Sequence, residues 1–209
     1  MNDKKCKLCR RAGKKLFLKS DKCFSPKCPF EKKPYAPGML DSARKHRKTF
    51  SEYGFQLREK QKIKNIYGVS EKQFSSYVKE ATSKHGVNPA NRLYENLETR
   101  LDSAVFRVGF ASARSMARQM VSHGHITVNG RKVDVPSYRV REGDVLEIRD
   151  GSKGKALFAD ISSRLEKQNA PAWIKVDFKK AQGVIQGSPK LEKEDVVFNI
   201  TSVLEFYSR

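Results

Sequence analysis

The sequence predicts an α+β protein: a basic, cysteine-rich N-terminal segment, a helical domain, and two further helices packed on a small, mainly antiparallel β-sheet. Three observations predict it. Apolar residues recur at helical spacing through much of 51–121, an Asn-Gly pair at 129–130 separates two short β-prone runs, and all four cysteines fall within 23 residues.

Residues 1–42 are rich in Lys, Cys and Pro and show little helical periodicity. From Ser51 a helix is expected, with Leu57, Ile63, Ile66 and Tyr67 as an imperfect apolar stripe, Arg58, Lys62 and Asn65 off it, and Gly68 stopping it. Ser70-Glu-Lys-Gln73 has the form of a capping box; Phe74, Tyr77, Val78 and Ala81 follow at helical spacing until His85-Gly86 and Pro89. Leu93, Leu97, Leu101, Ala104, Val105 and Val108 predict one continuous helix ending at Gly109. Ser112 is expected to cap the next, which carries Ala113, Met116, Ala117, Met120 and Val121 on one face and stops at Gly124. Ile126–Val128 and Lys132–Val135 read as strands joined by Asn129-Gly130-Arg131, because Asn and Gly tolerate the positive φ of a tight hairpin. Val145–Ile148 reads as a third strand. A helix around 156–168, strands near 173–176 and 183–185, and a final turn or two through Ile200, Val203, Leu204 and Tyr207 complete the pattern. The expected domains are 1–42, 43–92 (with 195–209 as a segment able to pack on it) and 93–194, the last holding a helix–helix–hairpin unit at about 93–150.

Forty-three Lys and Arg against 23 Asp and Glu give the 209 residues a net charge of +20. The excess is concentrated: residues 1–50 hold 16 basic and 4 acidic side chains. A polyanion is the natural counterpart, since each cation placed at a phosphate releases a condensed counterion. No stretch approaches the roughly 18 apolar residues of a membrane span. No secretory segment is visible behind the N-terminal lysines either, so a cytosolic or organellar-matrix chain with no membrane partner is expected.

The cysteines are spaced Cys6-Lys-Leu-Cys9, thirteen residues, then Cys23-Phe-Ser-Pro-Lys-Cys28. Each close pair can bend both sulfurs toward one cation, and two pairs complete a tetrahedron with no open position, which makes the site structural rather than catalytic. Twelve Lys and Arg between Lys4 and Lys33 favour thiolates. One Zn²⁺ is the expected ion, making 1–42 a basic zinc-knuckle extension; an iron–sulfur cluster uses the same ligands and is the alternative. Arg10, Arg11, Lys14, Lys15, Lys22 and Lys27 surround these ligands and are candidate phosphate contacts.

Arg114 and Arg118 stand four residues apart, away from the Ala/Met stripe, and Arg100 and Arg107 occupy the non-apolar side of the preceding helix. His123 and His125 flank Gly124 where helix gives way to strand. Cations on one surface of a two-helix unit suit phosphates rather than base edges. Catalysis is not expected: no Walker loop and no Ser/His/Asp arrangement is present, and Asp102 reads as a helix-surface acid or ion-pair partner.

The run Arg114-Ser-Met-Ala-Arg118-Gln-Met-Val-Ser-His123-Gly-His-Ile-Thr-Val-Asn-Gly130 resembles the RNA-binding module named after ribosomal protein S-four. That module also occurs in pseudouridine synthases, which are the alternative reading. However, Arg100-Leu-Asp102 lacks the Thr and Gly expected near a synthase's catalytic Asp, and only about 60 residues follow the module. Cys6-x-x-Cys-Arg10-Arg11, Lys22-Cys-Phe-Ser-Pro-Lys-Cys28, Ser51-Glu-Tyr-Gly-Phe-Gln-Leu-Arg-Glu-Lys60, Ile66-Tyr-Gly-Val69 and Glu205-Phe-Tyr-Ser-Arg209 resemble the bacterial small-subunit ribosomal protein S-four family itself. The resemblance implies a ribosome-bound, non-enzymatic protein of the bacterial cytoplasm with no small-molecule substrate. It would be a primary binder of small-subunit ribosomal RNA at a multi-helix junction, helping to begin assembly. It would also touch protein S-five and, with proteins S-three and S-five, border the channel through which messenger RNA enters, where translational accuracy is influenced. Arg44, Lys45, Arg47 and Lys48 match the family's basic stretch before Ser-Glu-Tyr-Gly. The resemblance carries RNA contact onto these four and onto Arg58, Arg114, Arg118, His123 and His125; Lys62, Arg100 and Arg107 join them as candidates from the charge pattern.

Overall fold

The computed structural model describes residues 4–38, 50–83, 86–167, 169–191 and 198–208. In chain order the helices are α1 (Lys4–Ala12), α2 (Pro29–Lys32), α3 (Glu52–Tyr67), α4 (Glu71–Ser83), α5 (Pro89–Glu98), α6 (Leu101–Val108), α7 (Arg114–Ser122), α8 (Asp150–Lys153), α9 (Ile161–Lys167) and α10 (Ile200–Tyr207). The strands are β1 (Ile126–Val128), β2 (Arg131–Lys132), β3 (Val145–Ile148), β4 (Ile174–Asp177) and β5 (Gln182–Ile185). The chain adopts the expected α+β architecture. It divides into two compact units, Met1–Ala90 with Glu192–Arg209, and Asn91–Leu191.

In the first unit, Ser51 caps α3 by accepting the Gly54 N–H at 3.3 Å, and Gly68 ends it at φ +62. Ser70 and Gln73 form the expected reciprocal box: the Gln73 N–H donates to Ser70 Oγ at 3.3 Å and the Ser70 N–H to Gln73 Oε1 at 3.5 Å. Helix α10 packs on α3 and α4. Its N-cap Asn199 accepts the Ser202 N–H at 3.2 Å, and Val203 is fully buried, as are Ile63, Phe74 and Ala81. Glu71 ties three elements together, accepting from Lys60 (2.8 Å), Lys64 (3.0 Å) and the Tyr207 hydroxyl (2.7 Å). Burial pushes the Glu71 carboxyl up, but these hydrogen bonds outweigh it and hold it at about 2.

Helix α1 corrects the expectation of a non-helical head. Its inward face is Cys6 and Cys9, three apart and both buried, so its apolar stripe consists of thiols rather than aliphatic residues.

In the second unit one antiparallel sheet of order β2-β1-β3-β5-β4 packs against α6 and α7. Leu101, Ala104, Val105, Val108, Ala117, Val121, Ile126 and Leu146 are fully buried in its core. Asn129 (φ +51) and Gly130 (φ +76) make the predicted hairpin turn. The Asn129 side chain then locks the turn to β3, donating to Asp144 Oδ1 at 2.8 Å and accepting the Val145 N–H at 2.9 Å. At Gly183 a Cβ would lie 2.6 Å from Val108 Cγ2, so β5 lies against α6 at a distance only glycine permits.

Four expectations fail here. The continuous helix to Gly109 is broken at Thr99-Arg100, where Arg100 turns extended (φ −64, ψ 139) and bridges Arg139. Its neighbours bond across that bridge, Leu101 N–H to the Tyr138 carbonyl and Val140 N–H to the Thr99 carbonyl, both at 2.8 Å. Ser112 is not the cap of α7; Ala113 is, and the Ser112 hydroxyl points to Met116 Sδ at 3.6 Å. The second hairpin strand is Arg131–Lys132; the Val133 N–H still donates to the Ile126 carbonyl at 3.3 Å, but the strand does not extend to Val135. The helix expected around 156–168 is a 3-10 turn at Ala156–Phe158 followed by α9.

Candidate nucleic-acid interface

Two buried carboxylates organise the arginines of the second unit. Glu98, fully buried at the end of α5, accepts from Nε and Nη2 of Arg107 (2.8 and 2.9 Å) and from Nη2 of Arg114 (3.0 Å). Tyr94 adds a longer contact to Arg107 at 3.4 Å, and the Arg114 guanidinium lies 4.6 Å over the Phe106 ring. Asp102 holds Arg100 through both oxygens (3.0 and 2.8 Å), accepts the Ser103 N–H in the first turn of α6, and reaches Arg118 at 3.7 Å. Asp102 is therefore a buried ion-pair partner and not a surface acid.

The consequence differs among the four. Arg100 is 1% exposed and both sides of its guanidinium face protein, so it is removed from the candidate contacts and assigned to the core. Arg107, Arg114 and Arg118 keep part of each side chain at the surface. A buried ion pair adds little net stability once its desolvation is counted, but it fixes geometry. Three guanidinium groups are thus pre-set at one surface, with net positive charge left after two carboxylates.

His123 is exposed at the C-terminal end of α7, and its N–H closes the last turn on the Gln119 carbonyl at 2.9 Å. His125 is half-buried, its Nδ1 2.9 Å from the Ser152 hydroxyl and its ring 5.9 Å from that of His123. Burial, reinforced by Lys155, His123 and Arg149, pushes the His125 imidazole below its ordinary value. Arg149 and Lys155 are surface cations that sequence reasoning missed. The pairing Ile126↔Ile148 sets Arg149 opposite His125, and the Arg149 N–H donates to the His125 carbonyl at 2.9 Å.

In the first unit all four cysteines are buried and reduced, and they line one small pocket with Lys5, Leu18, Lys19 and Phe30. The Lys19 N–H donates to Cys23 Sγ at 3.3 Å. Burial pushes the Cys9 thiol up, opposed by the Leu16 N–H and reinforced by the charges of Cys23, Cys6 and Cys28. Among the described residues no group of three or more His, Cys, Asp or Glu is arranged to hold a metal ion. The donor chemistry fits a thiophilic ion all the same: four thiols share one pocket whose backbone supplies N–H groups to sulfur.

Around that pocket, Arg11, Lys14 and Lys27 are exposed and Lys22 is half-buried. Lys15 binds the Cys23 carbonyl and Glu31. Arg10 donates to the Tyr35 carbonyl at 2.8 Å with its guanidinium 4.9 Å from the Tyr35 ring; Arg58 donates to the Arg11 carbonyl and lies 3.7 Å over Phe50. Lys62 is withdrawn as a contact: it is 6% exposed and paired with the equally buried Glu59 at 2.5 Å. Glu59 in turn accepts the Asn199 N–H at 3.0 Å, so the pair secures the approach to α10. Arg44, Lys45, Arg47 and Lys48 lie outside the described residues.

Residues 1–98 match the family described as Ribosomal protein S4/S9 N-terminal domain, and residues 99–146 match the S4 domain. The chain belongs to the uS4 ribosomal-protein family. It is 44% identical over 210 residues to small ribosomal subunit protein uS4 of Oleidesulfovibrio alaskensis, an alignment covering 100% of this chain and 98% of that one. The uS4 proteins of Kosmotoga olearia (45% over 204 residues) and Fervidobacterium nodosum (47% over 208) each cover 98% of this chain and 96% of their own. The junction between the two uS4 family matches, at 98/99, falls where α5 ends, one residue before the extended Arg100. A uS4 chain is a ribosomal protein, and the pseudouridine synthase alternative is set aside on that similarity from end to end. No helix among the described residues is long and apolar enough to cross a membrane.

Proposed function

We propose that this chain is a structural constituent of the small ribosomal subunit that binds its ribosomal RNA in the bacterial cytoplasm and catalyses nothing. The observation that carries this is the surface set Arg107, Arg114 and Arg118, aimed by buried Glu98 and Asp102 within a chain similar to uS4 proteins along its whole length. Guanidinium groups already held in place lose little freedom on meeting phosphates. Exposed Arg149 and Lys155, beside His125, add further surface cations to this unit.

In finer detail, the RNA partner is a folded junction bound early, so that the protein helps to nucleate assembly. Proteins S-five and S-three are the expected neighbours, and the messenger channel lies beside them, where the protein influences accuracy. The cysteine segment holds one Zn²⁺, with Cys6, Cys9, Cys23 and Cys28 as ligands. When bound, the ion would fasten α1 to the turn before α2, a segment whose apolar content is too low to fold by burial alone.

The test is competition binding of the purified, metal-replete chain to small-subunit ribosomal RNA and to random transcripts of equal length at physiological ionic strength. A clear preference for the ribosomal RNA is expected; equal binding would overturn the proposal.

A further inference from the structure

Phe17 and Phe24 differ from the other aromatic residues of the cysteine segment. Their rings stack, with centroids 5.1 Å apart and 27° between planes, yet Phe17 is 44% and Phe24 is 75% exposed. Phe24, three-quarters exposed, gains little from leaving water, and Phe17 leaves nearly half of its ring wet, so burial alone does not account for the stack. The residues beside them are turned the opposite way: Leu16 (4% exposed) and Cys23 (8%) point inward. Phe17 itself has φ +49, a left-handed conformation that a bulky L-residue seldom adopts. The backbone therefore holds two neighbours in and two rings out.

The setting is cationic. Residues 14–33 contain seven lysines and two acidic side chains. A protein segment covering the rings would have to bring carboxylates to meet those lysines, whereas a nucleotide brings a flat ring and an anion together.

We propose that the Phe17–Phe24 stack is a platform for an unpaired base of the bound RNA, with the lysines around it holding the flanking phosphates. Every nucleobase has a π face, and aromatic side chains set in a basic surface stack on bases with little sequence preference. This assignment rests on the RNA-binding function proposed above and adds to phosphate recognition a contact that only a single-stranded position can make.

The experiment uses the full-length, metal-replete chain and a small-subunit ribosomal RNA transcript from the same source. Stacking of one base corresponds to a factor of about 5 to 150 in affinity. F17L/F24L should bind at least about five-fold more weakly, with the salt dependence unchanged, and F17Y/F24Y should bind like the parent. Chemical probing should reveal one or two bases protected by the parent and reactive with F17L/F24L, while the rest of the footprint persists. Far-UV circular dichroism checks that the double variant is folded; should it not be, F24L alone replaces it, since Phe24 makes few contacts to lose. Parent-like affinity and an unchanged footprint would overturn the platform. So would retained RNA affinity combined with loss of a neighbouring protein from reconstituted subunits, which would assign the rings to a protein partner. If the parent itself shows no preference for ribosomal RNA, the RNA-binding function fails first; if the parent binds and the leucine variant matches it, only the platform fails.

Discussion

The cysteine segment and the second unit solve the same electrostatic problem with different materials. Both must hold many cations at a surface without a partner. In the second unit the guanidinium groups are fixed by carboxylates rooted in an apolar core: Glu98 is fully buried, and beside it Leu97, Leu101 and Val105 are too. In the cysteine segment there is little such core. Arg10 rests on the Tyr35 ring and carbonyl, Arg58 reaches in from α3 to the Arg11 carbonyl, and the centre is four thiols. One surface is pre-set by burial and the other by whatever holds the thiols together, so the two should respond to different perturbations.

The largest separation should come from metal. Chelation, or Cys6→Ser, should disorder the cysteine segment and release about one ion per chain, because structural zinc contributes on the order of 10 kcal/mol to folding of such segments. Trp173, the single tryptophan and a core residue of the second unit, should report no change in its own unfolding transition. Finding no metal in protein purified without chelator would remove that half of the comparison.

The converse perturbation is Asp102→Ala. It takes the paired carboxylate away from the buried Arg100 charge and should cost the second unit about 3–5 kcal/mol, read as a shifted urea midpoint of Trp173 fluorescence. A shift below about 1 kcal/mol would mean that the Arg100 charge does not depend on Asp102.

Replacing Arg114 and Arg118 by Gln should leave both units folded and flatten the salt dependence of RNA binding by about one to two units of slope. An unchanged slope would take both residues off the contact surface.

The smallest effect is acid sensitivity at Glu71. Its carboxyl is held at about 2 against an ordinary 4.5. The stabilisation is therefore complete above about pH 4.5 and lost as pH falls toward 2. Because the side chain is half exposed, solvent screening limits it to about 1 kcal/mol. Circular dichroism of the parent against Glu71→Gln across that interval checks the sign: the parent should lose more stability than the variant.

Features set by local chemistry were legible in the residues: the Ser70–Gln73 box, the Asn129-Gly130 turn, the strands near 145, 174 and 183, and the helical turns after Ile200. Features set by a distant partner were not. Leu97 and Leu101 are four apart, so helical periodicity runs unbroken across Thr99-Arg100, and only pairing with Arg139 reveals the interruption. Helix α1 was hidden because its inward face is cysteine. Lys62 and Arg100 looked like contacts because sequence shows a charge but not whether Glu59 or Asp102 lies beside it in the core. The pocket shared by Cys6, Cys9, Cys23 and Cys28 was suggested by their spacing, whereas the outward pair Phe17–Phe24 left no signal beyond two unremarked aromatics.

The sheet order has one more outcome, for the time between synthesis and capture by RNA. Its two margins are β2, two exposed residues long and made of Arg131 and Lys132, and β4, whose outward positions are Lys175 and Asp177. Short margins bearing ionic side chains are poor templates for a strand from another molecule. A freshly made copy crowded among its siblings is thereby kept from zipping onto them, and its backbone stays available for nothing but its own ladder.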